Sequence, residues 1–136
     1  MSEQQPPARE LLGRADANEL ASVTATEHGG GLVVTITGEV DISNIESVAE
    51  AINGLPNPRD GLLLDLSEVG YLDSSAISLV HDLAMRLRSR SQQLIVVSPP
   101  DTPPRRILDL TALYVNAPVS DTLAGGLSQL GRTGLR

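Results

Sequence analysis

The sequence predicts a single α/β domain built on a mixed β-sheet that opens with an antiparallel hairpin and continues as parallel strands alternating with helices. Two short strand-like runs, Ala21–Glu27 and Leu32–Thr37, flank the glycine link His28-Gly29-Gly30-Gly31, and so short a link joins neighbours antiparallel. From Ser43 onward, helical apolar faces alternate with the short apolar runs Leu62–Leu66 and Leu94–Val97, the pattern of strand–helix–strand units. The length of 136 residues suits one domain, which at this size buries about two thirds of the surface its unfolded chain exposes.

Taken in order, residues 1–18 carry Pro6-Pro7, mixed charge and one apolar pair, Leu11-Leu12, and are expected to form a flexible tail. The domain is expected over residues 19–130. Val23 and Ala25 alternate with Thr24 and Thr26, as in a half-buried strand. Gly38-Glu39-Val40-Asp41 ends the second strand, and Ser43-Asn-Ile-Glu46 has the capping-box pattern of a helix start. Ile45, Val48, Ala49, Ile52 and Leu55 form that helix's apolar face, and Gly54-Leu-Pro56-Asn-Pro58 stops it.

The central stretch is Leu62–Leu87. It reads as a buried strand over Leu62–Leu66, a turn through Gly70 and a helix start at Asp73-Ser74-Ser75, with Ile77, Val80, Ala84 and Leu87 at helical spacing. A strand at Leu94–Val97 follows. Thr102 then caps a short helix with Ile107, Leu108 and Leu110 apolar. Tyr114–Ala117 is the expected edge strand, and Ser120 or Asp121 caps a terminal helix with Leu123, Leu127 and Leu130. Residues 131–136 are expected to fray.

Composition removes several function classes. Cysteine is absent, which excludes disulfides, thiolate catalysis and cysteine zinc sites. All ten bases are Arg, and without Lys there is neither a Walker A loop nor a Schiff base. A net charge of −7, with Tyr71 and Tyr114 as the aromatics, argues against nucleic acid, which needs a basic face and stacking surfaces. No apolar run reaches the roughly 20 residues of a bilayer span, and the N-terminus lacks a signal-peptide core. A cytoplasmic protein without a membrane partner is expected, with no cofactor and no metal. Ser74 and Ser75 lack the flanking glycines of a nucleophile elbow, and His28 and His81 read as surface residues, so no enzyme is expected. Arg86, Arg88 and Arg90, like Arg105 and Arg106, form clusters that either suit a helix C-terminus or contact a partner.

The hydroxyl pair at Asp73-Ser74-Ser75 is the most informative feature. Either Ser is an ordinary helix cap, or one hydroxyl caps while the other faces solvent and carries chemistry. Asp73 is a turn or cap acid, or a group that orients the Ser75 hydroxyl. Asp65, alone in an apolar strand, suggests no role.

Three segments carry a resemblance: Gly38-Glu39-Val40-Asp41, Leu64-Asp-Leu-Ser-Glu-Val-Gly-Tyr-Leu-Asp73-Ser74-Ser75, and Arg106-Ile107-Leu108-Asp109-Leu110 with Leu113. Over about residues 20–130 the chain resembles the STAS domain of bacterial anti-sigma factor antagonists. The resemblance implies a protein that binds an anti-sigma factor of the serine-kinase type and so releases a sigma factor. Phosphorylation of Ser75, the second Ser of the family's Asp-Ser-Ser-Gly, would switch it off, and a phosphatase would reset it. It implies a partner surface over Glu39, Asp41, Asp73, Ser74, Ser75 and Ala76. Ala76 stands where the family commonly has Gly; Ala favours the helix, while its methyl beside the acceptor is expected to hinder entry to a kinase site. The alternative is a STAS scaffold or adaptor in a stress-signalling or transport complex, never phosphorylated.

Overall fold

The computed structural model describes residues 9–17 and 20–133. Its elements run β1 (Arg9–Ala17), β2 (Ala21–His28), β3 (Gly31–Val40), α1 (Ile45–Asn53), β4 (Gly61–Leu72) and α2 (Ser74–Arg88). They continue with β5 (Gln93–Val97), α3 (Pro103–Leu110), α4 (Ala112–Val115), β6 (Val119–Ser120) and α5 (Leu123–Thr133). The six strands lie in one sheet in sequence order. β1, β2 and β3 pair antiparallel, and β3 through β6 pair parallel. The mixed sheet expected from the hairpin and the later strand–helix alternation is therefore present.

Strand parity divides the core into two layers, because successive side chains leave opposite faces of a sheet. Val34, Leu62, Leu64 and Val96 face the layer that also holds Val48, Ile52, Ile77, Val80, Leu87 and Leu108 from α1, α2 and α3. Val33, Leu63, Ile95 and Val97 face the other way, against Leu130 and Leu127 of α5. Gly126 lets α5 lie this close: a Cβ there would fall 2.8 Å from a Val97 methyl.

The expected flexible tail over residues 1–18 is corrected in part. Residues 9–17 form β1, whose backbone pairs with β2 and would otherwise leave that strand an open edge. Its composition hides this: Arg-Glu-Leu-Leu-Gly-Arg-Ala-Asp-Ala has no β-branched residue. Residues 1–8 lie outside the described residues. At the other end α5 continues to Thr133, past the expected boundary at residue 130.

Four further expectations change. The turn through Gly70 is strand: β4 runs twelve residues to Leu72. It stays paired to β3 by taking up one extra residue between Asp65 and Glu68 and another between Val69 and Tyr71, both β-bulges. The capping box at Ser43 does not form; α1 begins at Ile45 after Asn44, with no side-chain cap. The strand expected at Tyr114–Ala117 is replaced by α4, and the edge strand follows Pro118 as Val119–Ser120. Thr122, rather than Ser120 or Asp121, accepts the Gly125 amide at the start of α5. Thr102 caps α3 as expected.

Candidate functional site

β3 and β4 end side by side, with Val40 opposite Leu72. The two bulges in β4 set that register. The Asp73 amide donates to the Val40 carbonyl at 3.2 Å, so the β3–α1 loop and the mouth of α2 meet at one point.

Asp73 organises that point. It is the N-cap of α2 in extended conformation, the place where a carboxylate satisfies amides that lack helical partners. Its Oδ1 accepts the Ser75 amide at 2.9 Å, the Ser75 hydroxyl at 2.5 Å and the Ala76 amide at 3.2 Å. Its Oδ2 accepts the Ile42 amide across the gap at 2.9 Å. Burial pushes the Asp73 carboxyl up, but the bonds from the Ser75 hydroxyl and from the Ala76, Ile42 and Ser75 amides outweigh it. The net effect holds the group below its ordinary value, so Asp73 is an anion at neutral pH. Of the alternatives for this helix start, the cap is Asp73, and the Ser75 hydroxyl is a donor to it.

The neighbouring loop repeats the pattern. Asp41 Oδ1 accepts the Ser43 amide at 2.9 Å and the Ser43 hydroxyl at 2.6 Å. Asn44, buried to 1% exposure, pins the loop: it accepts the Asp41 amide at 3.0 Å and donates to the Glu39 carbonyl at 2.8 Å. Glu39 is exposed at the end of β3, in register with Tyr71. Gly38 holds a φ of +98°, and a Cβ there would lie 2.0 Å from the Leu20 carbonyl oxygen. Only glycine fits beneath this loop.

The residues expected to form the partner surface therefore divide. Glu39 and Ser74 are exposed, and Asp41, Asp73 and Ser75 are half-buried at the same edge. Ala76 belongs elsewhere: it is 2% exposed and its methyl packs in the main core. It reaches the site through its amide alone, and the methyl expected beside the acceptor points inward. Ile42, 74% exposed, and Tyr71, 47% exposed, flank the site and were not anticipated. Their signal in the sequence is faint: a large apolar residue between Asp41 and Ser43, and an aromatic just before the Leu72-Asp73 step. Asn44 left no signal beyond its place in a polar turn.

Other candidates settle into structural roles. Asp65 is buried and accepts the Ser67 amide and hydroxyl at 3.0 and 2.5 Å, across the first β4 bulge. His81 is half-buried; its ring stacks on Tyr114 with centroids 4.2 Å apart, and its Nδ1 lies 2.6 Å from the Tyr114 carbonyl oxygen. Arg105 bridges Asp109 and Asp121 and donates to the Ser98 carbonyl. Those two carboxylates raise its already high pKa against the opposing effect of burial.

The family model for the STAS domain matches residues 22–125. This chain belongs to the STAS domain family. Among solved structures, the STAS domain is similar to an anti-sigma factor antagonist from Mycobacterium paratuberculosis, with 25% identity and a TM-score of 0.74, covering 86% of this chain and 99% of that one. It shares its fold with the anti-sigma factor antagonist SpoIIAA in its unphosphorylated form, at 16% identity and a TM-score of 0.64, covering 81% and 96% of the two chains. Among curated sequences it is 32% identical over 80 residues to Osmosensory protein A of Mycobacterium tuberculosis (strain ATCC 25618 / H37Rv). That match covers 59% of this chain and 51% of the relative, so it spans about half of the relative's length. No helix among the described residues is long and apolar enough to cross a membrane.

Proposed function

We propose that this STAS domain is an anti-sigma factor antagonist: it docks on an anti-sigma factor of the serine-kinase type, frees a sigma factor, and is switched off by phosphorylation of Ser75. The observation that carries this reading is the Ser75 hydroxyl, held by one 2.5 Å bond to an ionised Asp73 at an edge flanked by exposed Ile42 and Tyr71. The bond orients the hydroxyl oxygen, and the half-buried position leaves it within a partner's reach. The buried Ala76 methyl does not obstruct it, so departure from the family's Gly is compatible with phosphoryl transfer. The names of the structural relatives support the same role.

The switch follows from charge. A phosphate adds about −1.5 to −2 charges and removes the Ser75 proton that bonds Asp73. The helix N-terminus favours the anion by about 0.3–1 kcal/mol. Each pair of unit negative charges about 6 Å apart repels by about 0.7 kcal/mol in water and about 2.8 kcal/mol at an effective dielectric of 20. Asp73 and Asp41 both lie at this edge, so repulsion wins. Desolvating this crowded charge in an interface, or placing a partner's acidic group beside it, at a cost of about 2–3 kcal/mol, would weaken binding about 30- to 150-fold.

The test is phosphoryl transfer. Incubating the protein with the host's serine-kinase anti-sigma factors and ATP, then mapping the site by mass spectrometry, is expected to place phosphate on Ser75 and none in Ser75→Ala. Tight binding with no modification would favour the adaptor reading and overturn the switch.

A further inference from the structure

The opposite end of α2 holds a second feature, independent of Ser75. The helix has 15 residues, which at about 1.5 Å each separates its ends by about 22 Å. There the α1–β4 connection is laced to the end of α2. Arg86 donates to Asn53 Oδ1, Arg90 donates to Asn57 Oδ1 at 2.7 Å, and Gln92 donates to the Pro58 carbonyl. Between them lies a cleft of about 210 Å³ lined by Leu62 and Leu87 as well as by these Arg and Asn side chains.

Three observations give this cleft a preference. First, Arg86 and Arg90 bond neutral amide oxygens, and no ion pair forms to either among the described residues. Arg105, by contrast, is matched by two carboxylates. Second, none of the cleft's lining residues is acidic, although the chain carries a net charge of −7. Third, the Arg86 Nε–H is shut off from solvent and has no acceptor among the described residues, a costly condition for a charged donor. A role limited to soothing the helix C-terminus would turn the guanidinia toward the helix's own carbonyls. Arg86 reaches instead to Asn53, the last residue of α1, and Arg90 to Asn57 in the connection beyond it.

We propose that this cleft binds a phosphate monoester with a small apolar body. The head would sit between the Arg86 and Arg90 guanidinia and the body against Leu55 and Pro56 of the α1–β4 connection, which unlike Leu62 and Leu87 are partly or fully open to solvent. Two cations with no ion pair among the described residues match a dianion better than a single carboxylate, and the guanidinium fork suits phosphate oxygens.

The test uses the full chain and three probes: phenyl phosphate, inorganic phosphate and phenol. It is read by NMR at the arginine Nε–H and asparagine side-chain amide signals. Phenyl phosphate is expected to shift Arg86, Arg90, Asn53 and Asn57 saturably, at least tenfold more tightly than either fragment. The double substitution Arg86→Gln/Arg90→Gln should weaken it at least tenfold. If that variant fails to fold, Arg90→Gln alone, at an exposed position, should weaken it at least threefold. Absence of saturable shifts, equal affinity for phosphate and phenyl phosphate, or unchanged affinity in the folded variants would overturn the proposal.

Discussion

Three Asp-x-Ser triplets in this chain fold the same way, and they do different things. In Asp41-Ile-Ser43, Asp65-Leu-Ser67 and Asp73-Ser-Ser75, the Asp Oδ1 accepts both the amide and the hydroxyl of the Ser two residues on. This is the local turn that Asp side chains form with the backbone. The Asp65 copy is spent on closing a bulge within the sheet. The Asp41 copy shapes an exposed loop. Only the Asp73 copy heads a long helix, and its carboxylate has a further bond across to Ile42. Identical local chemistry thus acquires a distinct role from the element it terminates and the strand end it faces.

That difference can be broken in graded ways. The largest expected effect is all-or-none. A serine-kinase anti-sigma factor should phosphorylate Ser75 and leave Ser43 and Ser67 unmodified, as read by mass spectrometry; phosphate on either of those would make the shared turn, and not its placement, the determinant. Next comes stability. Asp73→Ala removes a helix cap, worth about 0.5–2 kcal/mol, and the acceptor of the Ile42 amide, worth about 0.5–1.5 kcal/mol. A loss of about 2 kcal/mol is expected in urea unfolding. Asp41→Ala removes one exposed turn and should cost about 0.5 kcal/mol; equal losses would erase the distinction.

The smallest effect is in pH. The folded Asp73 carboxyl lies below its ordinary value, so the stability it contributes is fully present above the unfolded value of about 3.9. That contribution is lost as pH falls through the lower folded value. The stability gap between wild type and Asp73→Asn should stay constant from about pH 7 to pH 5 and narrow below about pH 4. A gap that widens in acid would contradict the hydrogen-bond assignment.

Much of this was readable from residue pattern, and the misses have physical causes. Apolar runs such as Leu62–Leu66 and Leu94–Val97 mark strands because both faces are buried. The 3.6-residue spacing of Ile77, Val80, Ala84 and Leu87 marks α2 because a single stripe of it faces the core. Ser67-Glu68-Val69-Gly70 looks like a turn, yet pairing with β3 holds it in the sheet through two bulges, a tertiary effect that local preference does not record. β1 was hidden likewise, since its place depends on the open side of β2. At the site, Asp73-Ser74-Ser75 announced a helix mouth. The Asp73–Ile42 bond and the buried Asn44 depend on the register of β3 against β4, which no single stretch contains. The split within the expected partner surface, with Ala76 turned into the core, follows from α2's phase against the sheet.

The measurement that bears most directly on the Ser75 switch is the affinity of the serine-kinase anti-sigma factor for wild type, Ser75→Asp and Ser43→Asp, titrated without ATP. A carboxylate at position 75 should weaken binding at least tenfold, while the same change at position 43 should cost less than threefold. Wild-type affinity in Ser75→Asp would contradict the account.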